Sequence, residues 1–352
     1  MTARFEKRKT LSLLLTFAGA LCLWTGDARQ AGAEPLAGNR VVTGNKLSKA
    51  AFAGEIGFRN ATYDLLKQTY HYPWLYPQSF TIDRWERELF VMIGARSGQN
   101  KWGWVQVYDL DTFRLKTTFS TGQHWHEGMS VQRIGGRRYL FTVGDKSLIR
   151  VDITNFPKDL EVVKPEALPV PGYSLMASDG TGFAVQERPG AQGPSGPQQF
   201  KLYDARLGSI GRVTLAFSNG KQAAVVPAGS AKMQGIAWDG QRFYAGFGAA
   251  HLSGTAKGSN EDWQGNAVFD RNGALLASNL MPPIDMLASL QKAIGYQPTC
   301  VENEGIQNVD GAIYSMWVTL GPKQREARAY EGKGIVLMRE SYVTDTRHGY
   351  QR

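Results

Sequence analysis

Short apolar runs recur along the chain from residue 74 onward, and glycine, aspartate and asparagine separate them. Runs of about five hydrophobic or alternating residues between such turn-forming residues are typical of β-strands that are buried on one or both faces. One segment differs, because Ile284 to Ala293 has its apolar residues at helical spacing after two prolines. The pattern therefore predicts an all-β protein with one short helix.

A fixed order of strand, turn and strand occurs five times. Each copy opens with a polar residue, a small residue and a hydrophobic residue: Gln78-Ser79-Phe80, Glu127-Gly128-Met129, Tyr173-Ser174-Leu175, Gln234-Gly235-Ile236 and Glu304-Gly305-Ile306. The third strand ends at an aspartate in four copies, and we expect that carboxylate to accept backbone N–H groups in the next turn. Such a recurring unit predicts a β-propeller in which each copy forms one blade.

The number of blades and the domain boundaries follow from the spacing of these copies. The length of the mature chain fits five blades of four strands better than six blades, although six blades remain an alternative. Residues 34–69 lack the repeat and are predicted to be a lead whose apolar positions, between Phe52 and Tyr70, supply a strand that closes the ring. Residues 70–352 are assigned to the propeller, with Leu160 to Val163 as the fourth strand of the second blade.

Residues 1–33 are typical of a cleavable signal peptide. Basic residues between Arg4 and Lys9 precede an apolar stretch from Leu11 to Trp24, which is too short to span a bilayer. Residues 31–33 read Ala-Gly-Ala, as expected of a cleavage site. We therefore expect a secreted or periplasmic monomer whose mature chain has no transmembrane segment.

The charge balance narrows the class of partner. The sequence has 40 lysines and arginines against 31 acidic residues, a net charge of +9, and the basic residues are spread along the chain. Nucleic-acid-binding proteins concentrate such residues in one patch or stripe, so no nucleic-acid partner is expected. A mild positive charge favours anionic partners such as wall polymers and acidic polysaccharides.

The first residue of each copy defines a candidate binding site. The innermost strands of a propeller line its central channel, so these residues are predicted to form a ring at one mouth: Gln78, Glu127, Tyr173, Gln234 and Glu304. Carboxylates, amides and a phenol together offer donors and acceptors for a hydroxyl-rich ligand. The alternative is that these groups only bond neighbouring strands and channel water.

Aromatic residues precede two of these positions, with Trp74 and Tyr76 before Gln78 and Trp125 before Glu127. Their faces would stack on sugar rings, or they would fill the gaps between blades. His124 and His126 also lie beside Glu127, but zinc needs three or four ligands, and a polar turn accounts for them as well. The sequence therefore predicts no metal and no cofactor.

Three segments resemble a known family of propellers: Tyr76-Pro77-Gln78-Ser79-Phe80-Thr81-Ile82-Asp83, Gln234-Gly235-Ile236 and Glu304-Gly305-Ile306. They are similar to the β-propeller shared by staphylococcal phage receptor-binding proteins, the teichoic-acid-operon protein TagC and helveticin-type bacteriocins. The resemblance covers roughly residues 70–340. It implies an extracellular or envelope-facing propeller, which in the phage proteins is associated with recognition of wall glycopolymers.

Three functional hypotheses remain open at this point. The first is a binding protein that recognises a carbohydrate or an anionic cell-envelope polymer, such as a teichoic acid-like ligand, at one mouth of the channel. The second is a glycoside hydrolase that uses Glu127 and Glu304 as its pair of carboxyl groups, although the ring has no third acid. The third is a scaffold whose outer surfaces bind other proteins.

Overall fold

The computed structural model describes part of the chain, and every statement below refers to that part. The described residues are 46–57, 66, 68–70, 74–97, 100–123, 126–187, 197–216, 232–249, 251–252, 263–295, 298, 300–320 and 333–343. They belong to one unit that begins at Asn39. The signal peptide predicted for residues 1–33 lies outside them. No helix in these ranges is long and apolar enough to cross a membrane.

The first blade follows two short leading strands. These are β1 (Lys46–Leu47) and β2 (Ala51–Gly57). The blade itself contains β3 (Trp74–Asp83), β4 (Glu88–Ser97), β5 (Asn100–Asp109) and β6 (Leu115–Ser120). Its strands are antiparallel and are ordered from β3 at the centre of the ring to β6 at the outside.

The second and third blades repeat this arrangement. Blade two contains β7 (Met129–Ile134), β8 (Arg137–Val143) and β9 (Ser147–Asp152); after them come β10 (Glu161–Val162) and β11 (Glu166–Pro171). Blade three contains β12 (Met176–Ser178), β13 (Gly182–Gln186), β14 (Gln198–Asp204) and β15 (Ser209–Leu215). The fourth strand of blade two is β11, which pairs with β9.

The prediction for Leu160 to Val163 is therefore wrong. That segment forms β10, which runs parallel to β6 and adds a strand to blade one. Leu160 has a positive φ of 63°, and its backbone N–H donates to the carbonyl of Thr118 at 2.7 Å. Because the apolar pattern shows only that a segment is extended, it does not show which sheet edge the segment joins.

Blades four and five complete the ring. Blade four contains β16 (Met233–Trp238), β17 (Arg242–Phe247), β19 (Gly265–Asp270) and β20 (Leu275–Ser278), and β18 (His251–Leu252) lies between them in sequence. Blade five contains β21 (Cys300–Val309), β22 (Ala312–Leu320) and β23 (Lys333–Val343). Both leading strands, β1 and β2, pair with β23, and β18 pairs with β21. The sheets thus make five blades, not six.

The hydrophobic core is divided among the interfaces between blades. One cluster packs Phe80 and Leu89 of blade one against Leu337 of blade five, and another packs Phe90 against Met129 of blade two. Three further clusters join blades two and three, three and four, and four and five. Each blade therefore buries both faces against its neighbours, which is why its central strands are almost continuously apolar.

The predicted helix is confirmed as α1 (Pro283–Ile294). Proline suits the first turn of a helix because its missing N–H would have no partner there. The helix ends at Gly295, whose φ of 80° is accessible to glycine and whose N–H donates to the carbonyl of Gln291 at 3.0 Å. Met286 and Leu290 pack against Trp317 of blade five.

Candidate functional site

Three of the five inner strands carry a β-bulge at the polar residue that opens the repeat. The pairing register shifts around Gln78 in β3, around Gln234 in β16 and around Glu304 in β21. A bulge sets two residues opposite one on the neighbouring strand and re-aims the side chain of the extra residue. In three blades, the same type of β-bulge thus reorients the side chain of the equivalent polar residue.

The small residue after each bulge allows the inner strands to approach closely. A Cβ atom on Gly235 would lie 2.6 Å from the Cα of Gly305, and one on Gly128 would lie 2.5 Å from the backbone nitrogen of Met176. A Cβ on Gly305 would in turn lie 3.0 Å from a ring carbon of Phe80. Glycine is required where one backbone packs directly on another, so the repeated small residue is explained by packing around the axis.

A buried cluster of carboxyl groups forms around Glu302, two residues before the bulge of β21. The phenol of Tyr76 donates a hydrogen bond to Oε2 of Glu302, and Nε2 of Gln234 donates to its Oε1 at 3.0 Å. Glu302 also shares a hydrogen bond with Glu304. Glu302 and Glu304 are 8% and 1% exposed. Blades one, four and five therefore meet at one carboxylate.

A second part of the same cluster is an ion pair. Lys232, just before β16, places Nζ 3.4 Å from Oε1 of Glu127, which precedes β7. Ser174 of blade three also hydrogen-bonds to Glu127. Lys232 interacts electrostatically with Glu304 and Glu302 as well. With Tyr76 from blade one, all five blades thus contribute a residue to this cluster.

Burial and neighbouring charges shift the pKa values of three side chains in the cluster. Burial and the neighbouring charge of Glu302 raise the pKa of Glu304 well above its usual range, although Lys232 opposes that rise. Burial also raises the pKa of Glu127 against the opposing effect of Lys232. Burial lowers the pKa of Lys232, but the surrounding carboxylates more than offset this, so its pKa is raised. The cluster therefore favours the protonated form of Glu304 and the cationic form of Lys232.

Two buried acceptors in the cluster are unmatched. Oε1 of Gln234 and Oε2 of Glu304 have no hydrogen-bond partner in the described part of the chain. A buried oxygen without a partner costs about 1–3 kcal/mol. The cluster therefore combines unsatisfied acceptors with an amide, a phenol and an ammonium group.

Another residue of β21, Gln307, connects the inner strands of three blades. Nε2 of Gln307 donates to the carbonyl of Phe80 at 3.1 Å and to that of Met129 at 3.3 Å. It thereby ties blade five to the inner strands of blades one and two.

A chain of amides supports the bulge of β21 from behind. Oδ1 of Asn303 accepts the backbone N–H of Gly305 at 3.2 Å, and its Nδ2 donates to Oδ1 of Asn266 at 3.0 Å and to the carbonyl of Gly265 at 3.1 Å. Asn303 is fully buried. Because its side chain bonds both within the bulge and to blade four, it holds Glu302 and Glu304 in position.

The other predicted site residues are distributed as follows. Gln78 is half-buried, and its amide donates to the carbonyl of Pro77 at 3.1 Å. Tyr173 is 49% exposed, so the contact from blade three is made by Ser174 instead. Trp74 begins β3, but its side chain, together with the whole of Trp125 and His124, lies outside the described residues.

The candidate metal ligands form no centre in the described ranges. His126 is half-buried, and its backbone carbonyl accepts the hydroxyl of Ser79 at 3.2 Å. No group of three or more histidine, cysteine, aspartate or glutamate side chains in those ranges is arranged to hold a metal ion.

Sequence reasoning missed Glu302 and Lys232, and the third acid is therefore present after all. A usable signal existed, since Tyr76, Lys232 and Glu302 each stand two residues before a bulged polar residue. Residues two apart on a strand share a face. The polar cluster thus draws on two successive sets of positions along the inner strands, and three of the five predicted ring residues, Glu127, Gln234 and Glu304, belong to it.

Comparison with known proteins bears on the fold. No family model and no curated protein matches the sequence. Similar solved structures include a GH62 hydrolase in complex with xylotriose, with 10% identity over 82% of this chain and 97% of that chain and a TM-score of 0.45. The α-L-arabinofuranosidase PaAbf62A from Podospora anserina has 10% identity, covers 83% and 96%, and has a TM-score of 0.44. The Cps50 (Swd1) β-propeller domain has 10% identity, covers 82% and 99%, and has a TM-score of 0.35. These likenesses concern the fold alone.

Proposed function

We propose that this protein binds a carbohydrate at the mouth of its propeller channel, in the recess around Glu302. The observation that carries the proposal is the convergence of buried carboxyl groups, an amide and an ammonium group from different blades. Sugar hydroxyls donate and accept in several directions and so match such a set. An exported chain, as residues 1–33 predict, would meet such ligands in the cell envelope or outside the cell.

The charge of the recess favours uncharged sugar units over anionic ones. Glu127, Glu302 and Glu304 surround a single cation, Lys232. A phosphate or uronate group placed among these carboxyl groups would meet like charge in a partly desolvated site. The ligand is therefore a neutral glycan, or a neutral segment of an envelope polymer.

Binding is tested on the full chain without its signal peptide, against neutral oligosaccharides and matched oligosaccharides that contain uronic acid. We expect the neutral compounds to bind and the Glu127→Ala variant to bind them at least about tenfold more weakly, a loss of about 1.4 kcal/mol. The control is Asp310→Ala, because Asp310 is an exposed residue paired with Arg84. The proposal fails if no neutral glycan binds, or if both variants bind like the unsubstituted chain.

A second candidate, glycoside hydrolysis, is favoured by the raised pKa of Glu304, which is the shift that a general acid needs. Glu304, whose pKa is raised by burial and by the charge of Glu302, would donate its proton to the oxygen of the breaking glycosidic bond. Glu127, on another blade beside Lys232, would take a proton from the attacking water. Two carboxyl groups in opposite protonation states are what this reaction requires.

Hydrolysis makes a prediction that binding alone does not. Glu304→Gln should lower turnover by about 10²–10⁴-fold while glycan affinity is retained, because only the transferable proton is lost. Activity should also fall as the pH rises through the pKa of Glu304, since the acid must be protonated. Glycans that bind without product formation by the unsubstituted chain would exclude this candidate and leave the binding function intact.

A further inference from the structure

The innermost strand of blade three begins differently from those of blades one, four and five. In these three blades the strand begins before the opening residue of the repeat, at Trp74, Met233 and Cys300. In blade three it begins at Met176, after Tyr173, and it pairs with β13 in a continuous register. The opening residue of blade three therefore lies outside the sheet.

A bend takes the place of this part of the strand, and Gln186 of β13 holds it. The backbone N–H of Tyr173 donates to the carbonyl of Gln186 at 3.2 Å, and the N–H of Gln186 donates to the carbonyl of Leu175 at 2.9 Å. Gln186 is 3% exposed, and its Oε1 accepts the N–H of Leu175 at 3.1 Å. These three hydrogen bonds fix the backbone on both sides of Ser174.

The bend directs two successive side chains to different places. Ser174 hydrogen-bonds to Glu127 in the cluster around Glu302, whereas Tyr173 stays at the surface and is 49% exposed. Because consecutive Cα atoms are about 3.8 Å apart, the aromatic residue stands directly beside the polar cluster.

Packing of the fold does not require the ring of Tyr173. Leu175, which is 1% exposed, anchors the bend in the core between blades three and four. A Cβ atom on Gly172 would lie 3.0 Å from a methyl group of Val185, so the backbone before the bend is also closely packed. An aromatic side chain is thus exposed on a backbone that is fixed without it.

We infer that the ligand of this site is an oligosaccharide whose first sugar unit lies at Glu127 and whose second unit stacks on Tyr173. The inference rests on the proposed function, because it needs the first unit to be held in the cluster. A tyrosine ring offers an apolar face to the C–H groups of a sugar, and its hydroxyl can stay in water. A ring on a fixed backbone also loses little conformational entropy when the ligand binds.

The test compares sugars of one, two and three units in the xylose, glucose and N-acetylglucosamine series, all of them neutral. Calorimetry measures their affinity for the chain without its signal peptide. We expect the two-unit sugar of a binding series to bind at least about fivefold more tightly than the one-unit sugar, and the third unit to add less than about twofold.

Two substitutions at Tyr173 test the role of its ring. Tyr173→Ala should remove the gain from the second unit and leave the affinity for the one-unit sugar within about twofold. Tyr173→Phe should keep the gain, because stacking uses the face of the ring and not its hydroxyl. If Tyr173→Ala keeps the gain, or weakens the one-unit and two-unit sugars equally, the inference is overturned.

Two further variants separate this inference from the proposed function. Glu127→Ala should weaken sugars of every length by the same factor, because it acts on the first unit. Trp85→Ala removes an aromatic side chain that is 56% exposed in the turn after Asp83, at the other end of β3, and should leave every affinity within about twofold. If Glu127→Ala weakens binding but Tyr173→Ala leaves the dependence on length unchanged, the glycan site stands and the role of Tyr173 is wrong. If no series binds, both proposals fail.

Discussion

The two ends of the propeller use buried carboxyl groups in opposite ways. At the mouth, three glutamates share one lysine, and the pKa of Glu304 is raised by burial and by the charge of Glu302. At the opposite end, Arg138 lies between two buried acids, with Nε donating to Asp83 at 3.0 Å and Nη2 to Glu88 at 2.5 Å. One end leaves acceptors open, whereas the other pairs its buried acids with a guanidinium group.

Backbone hydrogen bonding also differs between the two ends. At the far end, the four aspartates after the third strands each accept a backbone N–H two residues later: Asp109, Asp152, Asp204 and Asp270. The predicted role of these residues is confirmed. At the mouth, the regular ladder is broken by bulges at Gln78, Gln234 and Glu304. The far end is thus optimised for stability, and the mouth gives up regular pairing in order to aim side chains.

The largest effect should come from removing the cation of the far end. Arg138→Met removes the guanidinium group from Asp83 and leaves Glu88 with Lys116 as its remaining ion-pair partner, and it should cost about 3–5 kcal/mol of the free energy of unfolding. Arg137→Met is the matched control, because Arg137 pairs with Asp152 on the surface and such a pair contributes about 0–1 kcal/mol. Urea unfolding of the two variants measures both values. Equal losses would show that the far end is not held by its buried ion pairs.

A smaller loss is expected from Gly235→Ala at the mouth. Its Cβ would lie within 2.6 Å of another backbone, which cannot move aside as a side chain can, and the expected cost is about 1–3 kcal/mol. Gly103→Ala serves as the control, since its new Cβ would meet mainly the sulfur of Met92, at 3.0 Å. That control should stay within about 1 kcal/mol of the original protein by thermal unfolding. If Gly235→Ala leaves the stability unchanged, the inner strands are not closely packed at this position.

Replacing one buried glutamate at each end by glutamine should change the free energy of unfolding with opposite signs. Glu88→Gln weakens a buried ion pair and should destabilise the protein by about 1–3 kcal/mol at neutral pH. Glu304→Gln should be neutral or stabilising, because the folded state already favours the uncharged carboxyl group.

The pH dependence of Glu304→Gln follows from the direction of its pKa shift. A carboxyl group whose pKa is raised on folding contributes stability that is complete below its unfolded pKa and is lost as the pH rises through its folded pKa. The advantage of Glu304→Gln should therefore be absent in acid and grow towards alkaline pH in urea titrations. If Glu304→Gln destabilises the protein at every pH, the buried glutamate at the mouth behaves like Glu88 at the far end, and the contrast between the two ends is wrong.

Much of the architecture was predictable from local patterns. The five copies, the helix at Pro283–Ile294 and the aspartate turns depend on residues close together in sequence. The small residue of each triplet also pointed correctly to crowded inner strands, as Gly235 and Gly305 show. Such features follow from alternation, turn chemistry and steric size, which short segments carry with them.

The set of residues in the cluster around Glu302 was harder to predict from the sequence. Tyr76 and Glu302 are 226 positions apart, and Gln234 and Glu302 are 68 apart. Nothing in a segment of ten residues records that these side chains meet, and a bulge changes the direction of a side chain without changing the composition of its strand. Tyr173 illustrates the consequence, since its place in the pattern did not bring it into the cluster and its neighbour Ser174 made the contact.

By itself, the sequence determined the strands, their repetition, the turns between them and the polar residues that open each blade. Only the tertiary structure decided that Glu302 and Lys232 join that ring, that β10 belongs to the first blade, and that Tyr173 stays exposed beside the cluster. The reason is physical: propensity and periodicity act over a few neighbouring residues, whereas burial, charge coupling and bulge direction arise only when distant strands pack around a common axis.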